Sequence, residues 1–215
     1  MKTKVNFISP FDVSIMKAKC PQNYIDMLIE TSGQIFKDDD LCVRLDASDG
    51  LVGNVTNEVH VPQLPAIKKI NYWIEDLAIK YARKDFLKKQ KEYSELQKKH
   101  FSKDPHVQIT SEWIVRMNPG DFNPAHFHTN CHLSGLLYLK IPDGLERDAG
   151  GNLHFLHGNP ATFYTNQYQI TPKVGDTYLW PSWLQHFVYP YKCEGERWVM
   201  PFNLIVAHGD ETTVI

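Results

Sequence analysis

The 215-residue chain has few cysteines and no paired ones. Cys20, Cys42, Cys131 and Cys193 are scattered without a Cys-x-x-Cys spacing, so neither a zinc knuckle nor a disulfide framework is indicated. No stretch approaches eighteen apolar residues, which excludes a transmembrane helix by sequence. The opening "MKTKVNFISPFDVSI" lacks the apolar core and small-residue cleavage site of a signal peptide. An excess of one charge is missing too. Lys and Arg number 23 against 25 Asp and Glu, a formal net charge of −2, which gives no electrostatic case for nucleic acid or an anionic membrane surface. The expectation is a reduced, cytoplasmic setting with no nucleic-acid and no membrane partner. There is no internal repeat and no low-complexity linker, and nothing in the sequence speaks to the oligomeric state. What is present is an ordinary globular composition, 42% apolar and 22% charged.

The texture of the chain changes once. Tyr24, Met27, Leu28, Ile35 and Phe36 follow a roughly helical spacing over 21–36. A polar, turn-rich segment with "KDDD" and "DASDG" follows. Then Ile67, Ile70, Ile74, Leu77 and Tyr81 recur every three or four residues, which predicts an amphipathic helix. Its polar continuation, "RKDFLKKQKEYSELQKKH", reads as a solvated helix face with paired charges rather than an anion-binding stripe. After about Val107, short apolar or alternating runs (109–117, 132–141, 152–157, 162–170, 176–188 and 196–207) are separated by Gly, Pro and Asn turns. That pattern predicts an antiparallel sandwich or barrel. The expected organisation is one domain, 1–215, with a helical N-terminal support region (1–106) packed on a β-rich core (107–208).

"NPAHFHTNCHLSGLLYLKIP" (123–142) places three of the ten histidines within seven residues, ahead of an apolar run. His126 and His128 are two apart, so on an extended strand they share a face and can share a metal. A third ligand must come from a distant strand, and His186 in "WPSWLQHFVYPYKCEGERW" is the candidate. If "PYKCEG" closes a tight hairpin, His186 lies opposite Arg197, and the same alternation adds Asn203 to that face. A buried arginine beside a metal is costly unless an anion neutralises it. The cluster therefore calls for an anionic ligand that touches both. The bland readings are a packed or hydrogen-bonded His132, His154 and His157 as surface or core residues, Trp180, Trp183 and Trp198 as core or sheet-face aromatics, and Asn203 satisfying a backbone group.

In order, "HxH…SGLLYL", "GGNLHF", "PKVGDTYLWPSWLQH" and "GERW…N" resemble the 2-oxoglutarate and iron(II)-dependent oxygenase superfamily, in its prolyl-hydroxylase-like branch of bacterial and bacteriophage oxygenases. The resemblance covers about Trp113 to Val206. It implies a mainly β fold with flanking α-helices, a double-stranded β-helix of the jelly-roll type. It implies iron(II) held by His126, His128 and His186, with 2-oxoglutarate as cosubstrate and dioxygen as oxidant. Arg197 would grip the distal carboxylate of 2-oxoglutarate with help from Tyr138, and Asn203 is a further cofactor-side candidate. Gly150 and Gly151 resemble the turn before the next strand. The implied activity is a dioxygenase, a hydroxylase acting on a small molecule or peptide, specifically a peptidyl or free amino-acid-like substrate.

One position departs from the superfamily. Its second ligand is usually a carboxylate, and this chain reads His-Phe-His. A neutral imidazole contributes no charge to the metal, which weakens the electrostatic hold on a divalent cation and alters its redox potential. Asp121 could supply a carboxylate if its loop folds back. Two other readings remain open at this stage. One is a cupin-like three-histidine dioxygenase that uses no 2-oxoglutarate. The other is a non-catalytic jelly-roll module, with structural zinc or with histidines that bind a carbohydrate or protein partner. Segments 46–59 and 142–151, polar and Gly-rich, are the candidates for a substrate-facing rim.

Overall fold

The structure is a computed structural model and describes residues 3–8, 12–50, 53–89, 91–101, 104–148, 150–158 and 166–208. Among these described residues, eleven strands form two antiparallel sheets. In chain order they are β1 (Val5–Ile8), β2 (Ile15–Lys19), β3 (Asn57–His60), β4 (Pro105–Met117), β5 (Asn123–His126), β6 (Leu133–Lys140), β7 (Leu153–Leu156), β8 (Gln167–Ile170), β9 (Asp176–Pro181), β10 (Gln185–Val188) and β11 (Arg197–His208). The major sheet has the order β1-β2-β9-β6-β11-β4-β3, and the minor sheet β5-β10-β7-β8. Four helices precede β4: α1 (Gln22–Ile35), α2 (Asp39–Arg44), α3 (Pro65–Lys89) and α4 (Glu95–Phe101).

The period-two pattern of the major sheet divides its side chains between two cores. Leu133, Leu137 and Leu139 of β6, with Met200, Phe202 and Leu204 of β11, face outward. There they meet Ile25 and Leu28 of α1 and the stripe Ile67, Ile70, Ile74, Leu77 and Tyr81 of α3. Leu136 and Tyr138, with Val199, Val115 and Met117, face inward against Leu153 and Phe155 of the minor sheet. A strand covered by helices on one face and a sheet on the other must be apolar throughout. This explains the unbroken "LSGLLYL". Gly135 serves the same packing. A Cβ there would lie 2.5 Å from both the Phe202 ring and the Tyr178 carbonyl, so only glycine lets β9 and β11 close on β6.

The sequence expectations for α1 and α3 match the structure. The polar end of α3 carries i,i+4 ion pairs, Lys80 with Asp76 and Lys89 with Asp85, as a solvated face should. The stretch read as turns contains α2, whose N-cap Asp38 accepts a hydrogen bond from the Leu41 N–H at 3.0 Å. The first sixty residues also contribute three strands that the reading as a helical region did not anticipate. β1 and β2 extend one edge of the major sheet, and β3 forms the other. The run 176–188 divides into β9 and β10, which lie in different sheets. Residues 162–165 of the run read as 162–170 fall outside the described residues, as do Leu51 and Val52 of the 46–59 segment.

The predicted hairpin between His186 and Arg197 is incorrect. β10 belongs to the minor sheet, where His186 opposes His126 and Phe155. β11 belongs to the major sheet, where Arg197 opposes Met117. The connecting segment crosses from one sheet to the other and is held by Tyr191, whose hydroxyl donates to the Met117 and Gly195 carbonyls at 2.7 and 2.9 Å. Histidine and arginine therefore meet across the sandwich, not along a ladder. No helix among the described residues is long and apolar enough to cross a membrane.

Candidate metal and cosubstrate site

His126 ends β5 and is the direct cross-strand partner of His186 on β10, which places their rings 4.3 Å apart. His128 lies two residues further on, where its backbone N–H donates to the Ser182 carbonyl at 3.0 Å. Its ring is 5.3 Å from that of His126 and 5.1 Å from that of His186. The three residues offer nitrogen atoms that all lie within 4.8 Å of one another.

Each imidazole is oriented by the same device. His126 Nδ1 is 2.7 Å from the Pro124 carbonyl, His128 Nδ1 is 2.7 Å from Asn203 Oδ1, and His186 Nδ1 is 3.0 Å from the Leu184 carbonyl. A carbonyl oxygen can only accept, so each Nδ1 carries the proton and each Nε2 keeps its lone pair. Three lone pairs gathered in one place, with every proton turned away, form a donor set for a cation. Aromatic walls enclose it. Trp113 stacks on His128 at 5.8 Å, and Trp180 meets His186 edge-on at 5.0 Å.

Burial opposes protonation of all three rings. It lowers the pKa of His126, lowers that of His128 to about 4 with the help of His126's charge, and holds that of His186 well below 6.5. In the unfolded chain the same groups return to the ordinary value near 6.5. Between those limits the unfolded chain binds more protons than the folded one, so this contribution is present above pH 6.5 and is lost as pH falls toward 4. Glu58, whose pKa is raised to about 7 by burial, acts in the opposite sense. The contribution of the histidines is therefore read by difference. The melting temperature of metal-free protein should fall more steeply from pH 7 to pH 5 in the wild type than in His128→Gln, and equal slopes would show that the ring is not buried neutral.

Arg197 faces the same cavity, a space of about 480 Å³ that it lines together with the three histidines, Trp113 and Trp180. Its side chain is 1% exposed. One Nη lies 3.2 Å from Met117 Sδ, while Nε and the other Nη have no partner. Among the described residues no carboxylate pairs with it. Its guanidinium carbon is 5.3 Å from the centre of the Tyr138 ring. Tyr138 is itself fully buried, with an unpartnered hydroxyl. Burial raises the Tyr138 pKa, and the nearby Arg197 charge only partly offsets this, so the phenol remains a donor. The Trp180 indole N–H is unpartnered too. The protein has therefore buried two guanidinium nitrogens, a phenol and an indole N–H without a hydrogen-bond partner. Such groups are costly unless an anion meets them.

Both amide atoms of Asn203 have partners. Its Oδ1 accepts from His128 and from Ser134 Oγ at 2.9 Å, and its Nδ2 donates to Ser111 Oγ at 3.0 Å. It stands behind His128 and also lines the cavity. Asp121 is engaged as well. Its carboxylate accepts from Thr56 Oγ1 at 2.7 Å, from the Asn118 N–H at 2.8 Å and from Asn54 Nδ2 at 3.3 Å. It is outside the histidine cluster. His132 accepts from the Val206 N–H at 2.9 Å. His154 lies on the outer face of β7, stacked on Phe187 at 4.8 Å. Of the two proposed rims, Ala47, Gly50 and Glu58 line the histidine cavity. Gly144, Arg147, Asp148 and Gly150 instead line a separate cleft. Glu58 and the Ser111–Ser134 support of Asn203 went unread in the sequence, because both depend on strand register.

Residues 111–203 match a family model described as "Putative 2OG-Fe(II) oxygenase", a span that contains every residue of the cluster. No curated protein is similar to the chain in sequence. Several solved structures are similar in fold. A prolyl-4-hydroxylase from Pseudomonas putida aligns with a TM-score of 0.58 and 14% identity, covering 91% of this chain and 95% of the other. AviO1 from Streptomyces viridochromogenes Tue57 aligns at 0.58 and 15% identity, covering 94% and 92%. A prolyl hydroxylase from Trichoplax adhaerens, in complex with a hypoxia inducible factor oxygen degradation domain peptide fragment, aligns at 0.55 and 12% identity, covering 96% and 83%. The two-sheet sandwich is thus the jelly-roll double-stranded β-helix with flanking helices.

Proposed function

We propose that this chain, an oxygenase of the 2-oxoglutarate and iron(II)-dependent family by the match over residues 111–203, hydroxylates a peptidyl or free amino-acid-like substrate. One observation supports the assignment of its residues above all others. A set of three Nε2 lone pairs and a buried, unpaired guanidinium face the same cavity.

The residues fit the cofactors of the family. His126, His128 and His186 would hold iron(II) through Nε2, neutral imidazole being a ligand that suits it. Arg197 Nε and Nη2 would donate to the distal carboxylate of 2-oxoglutarate, with the Tyr138 hydroxyl as a further donor. A planar guanidinium matches a carboxylate in two parallel hydrogen bonds. When bound, iron(II) with 2-oxoglutarate and dioxygen supplies an oxidation in which one oxygen atom enters the substrate and the other enters succinate, as carbon dioxide leaves.

The remaining residues position and shield. Asn203 accepts the Nδ1 proton of His128 and, through Ser111 and Ser134, fixes that ring in a single orientation. Trp113 and Trp180 cover two of the histidines and limit water there. The three histidines bring no negative charge, so the cosubstrate would be the compensating anion for a bound metal. This explains how the site can do without the carboxylate ligand usual in the superfamily.

The substrate class draws on the relatives of similar fold that are prolyl hydroxylases, one of them seen with a peptide. The test supplies iron-loaded protein with 2-oxoglutarate and air, then adds proline-containing peptides or free amino acids. Succinate formation that rises with one of these, together with a product heavier by one oxygen atom, is the expected result. Failure of every one to raise succinate formation would remove this substrate class.

A further inference from the structure

Glu58 stands in the wall of the histidine cavity with no basic partner. It lies on β3, the edge strand, directly opposite Val115 of β4, and Val115 faces the space between the sheets. The register therefore turns the Glu58 side chain inward, and both residues line the cavity that holds His126, His128 and His186. Oε2 of Glu58 is buried and has no hydrogen-bond partner. Among the described residues no lysine or arginine pairs with it.

Its neighbours sharpen the imbalance. Burial and then the charge of Asp46 raise the Glu58 pKa, and the Trp113 indole only partly offsets them. A carboxylate held inward beside another acid stabilises nothing in the free protein. An edge strand could have turned it to water by a shift of one residue. Its position relative to the reaction site is informative. Trp113 stacks on His128, so Glu58 stands one indole ring away from a proposed iron ligand. Arg197 and Glu58 flank β4 from opposite sides, opposing Met117 and Val115. The cavity thus has a cation toward β11 and an acid toward β3. The Arg197 side suits the dianionic cosubstrate, which leaves the Glu58 side for the substrate.

We infer that Glu58 is the anchoring carboxylate for the substrate, and that the substrate presents a protonated nitrogen group, a guanidinium or ammonium, to it. The inference rests on the proposed reading of the cavity as an oxygenase site. It adds that specificity is set by a cation near the carbon that reacts. A basic side chain in a peptide and a free basic amino acid share this chemistry.

The test needs no identified substrate. Butylguanidinium and its neutral isostere butylurea are titrated calorimetrically into iron-loaded protein with 2-oxoglutarate, under anaerobic conditions. Wild-type protein should bind the cation tighter by about tenfold or more, as expected for a charge-assisted contact in a partly buried site. Glu58→Gln should reduce that preference to near unity. Equal affinity for the two probes in the wild type, or absence of cation binding, would overturn the inference even if the variant fails to fold. A preference that survives in a folded Glu58→Gln protein would overturn it as well. Free arginine and the same residue in a blocked tripeptide, each against its citrulline counterpart, separate the two sources. A wild-type protein that does not bind 2-oxoglutarate refutes the oxygenase site instead, which the same calorimeter reports separately.

Discussion

Replacing Arg197 with alanine is expected to weaken 2-oxoglutarate binding by roughly ten- to more than a hundredfold, with metal affinity nearly unchanged. Loss of a charge-assisted, two-pronged contact costs about 1.5–3 kcal/mol, and more if a buried carboxylate is left unmatched. The guanidinium is 1% exposed with Nε and one Nη unpartnered, so neither water nor another residue substitutes for it. Metal affinity is spared because Arg197 is on the other sheet and touches none of the three histidines' orienting contacts. A shape-preserving Arg197→Met variant refines the experiment. It removes a buried charge that the free protein cannot pair, so its cosubstrate-free form should melt no lower than the wild type. A cupin-like dioxygenase would bind no 2-oxoglutarate in either protein, and a structural zinc module would be indifferent to the diacid. Calorimetry of metal-loaded wild type and variants under anaerobic conditions separates these outcomes.

His186→Ala is expected to abolish stoichiometric metal binding, a loss of at least about a hundredfold, since even residues that only orient a ligand cost ten- to a hundredfold. His186 is the most enclosed of the three, 6% exposed. It is paired to His126 across the ladder and capped edge-on by Trp180. Asp121 does not stand ready to replace it, because both its oxygens are spent on Asn54, Thr56 and the Asn118 N–H. Two imidazoles alone bind a divalent ion weakly, and His186 would supply the third nitrogen. Metal content after dialysis, with circular dichroism to confirm the fold, is the measurement. A variant that retains one equivalent of metal would show that the cluster is not the binding site.

Much of this was legible in the sequence, for identifiable reasons. The stripe from Ile67 to Tyr81 repeats over four turns, long enough for helical periodicity to stand out. The His-x-His spacing was readable because a strand and its immediate extension keep alternate residues on one side. His186 and Arg197 line one cavity, but not through the hairpin that the sequence suggested. "PYKCEG" looks like a hairpin loop, but its Tyr191 is anchored to β4, so the chain changes sheets instead of turning back. β1, β2 and β3 were missed because strands of four or five residues carry too few alternations to register. Glu58 was invisible for a related reason. In "NEVH" the face of each residue is decided by pairing with β4, which is a property of the sheet and not of those four residues.

The account stands or falls on whether the metal site and the arginine act on one ligand. The direct measurement is an anaerobic titration of wild-type protein with 2-oxoglutarate, with and without iron(II). Three neutral histidines leave the metal's charge to be met by the diacid, so the two ligands should assist each other, and each should tighten the other by the same factor. The expected result is one equivalent of 2-oxoglutarate bound, roughly tenfold or more tighter with iron(II) present. Absence of binding, or an affinity that is the same with and without the metal, would contradict the account.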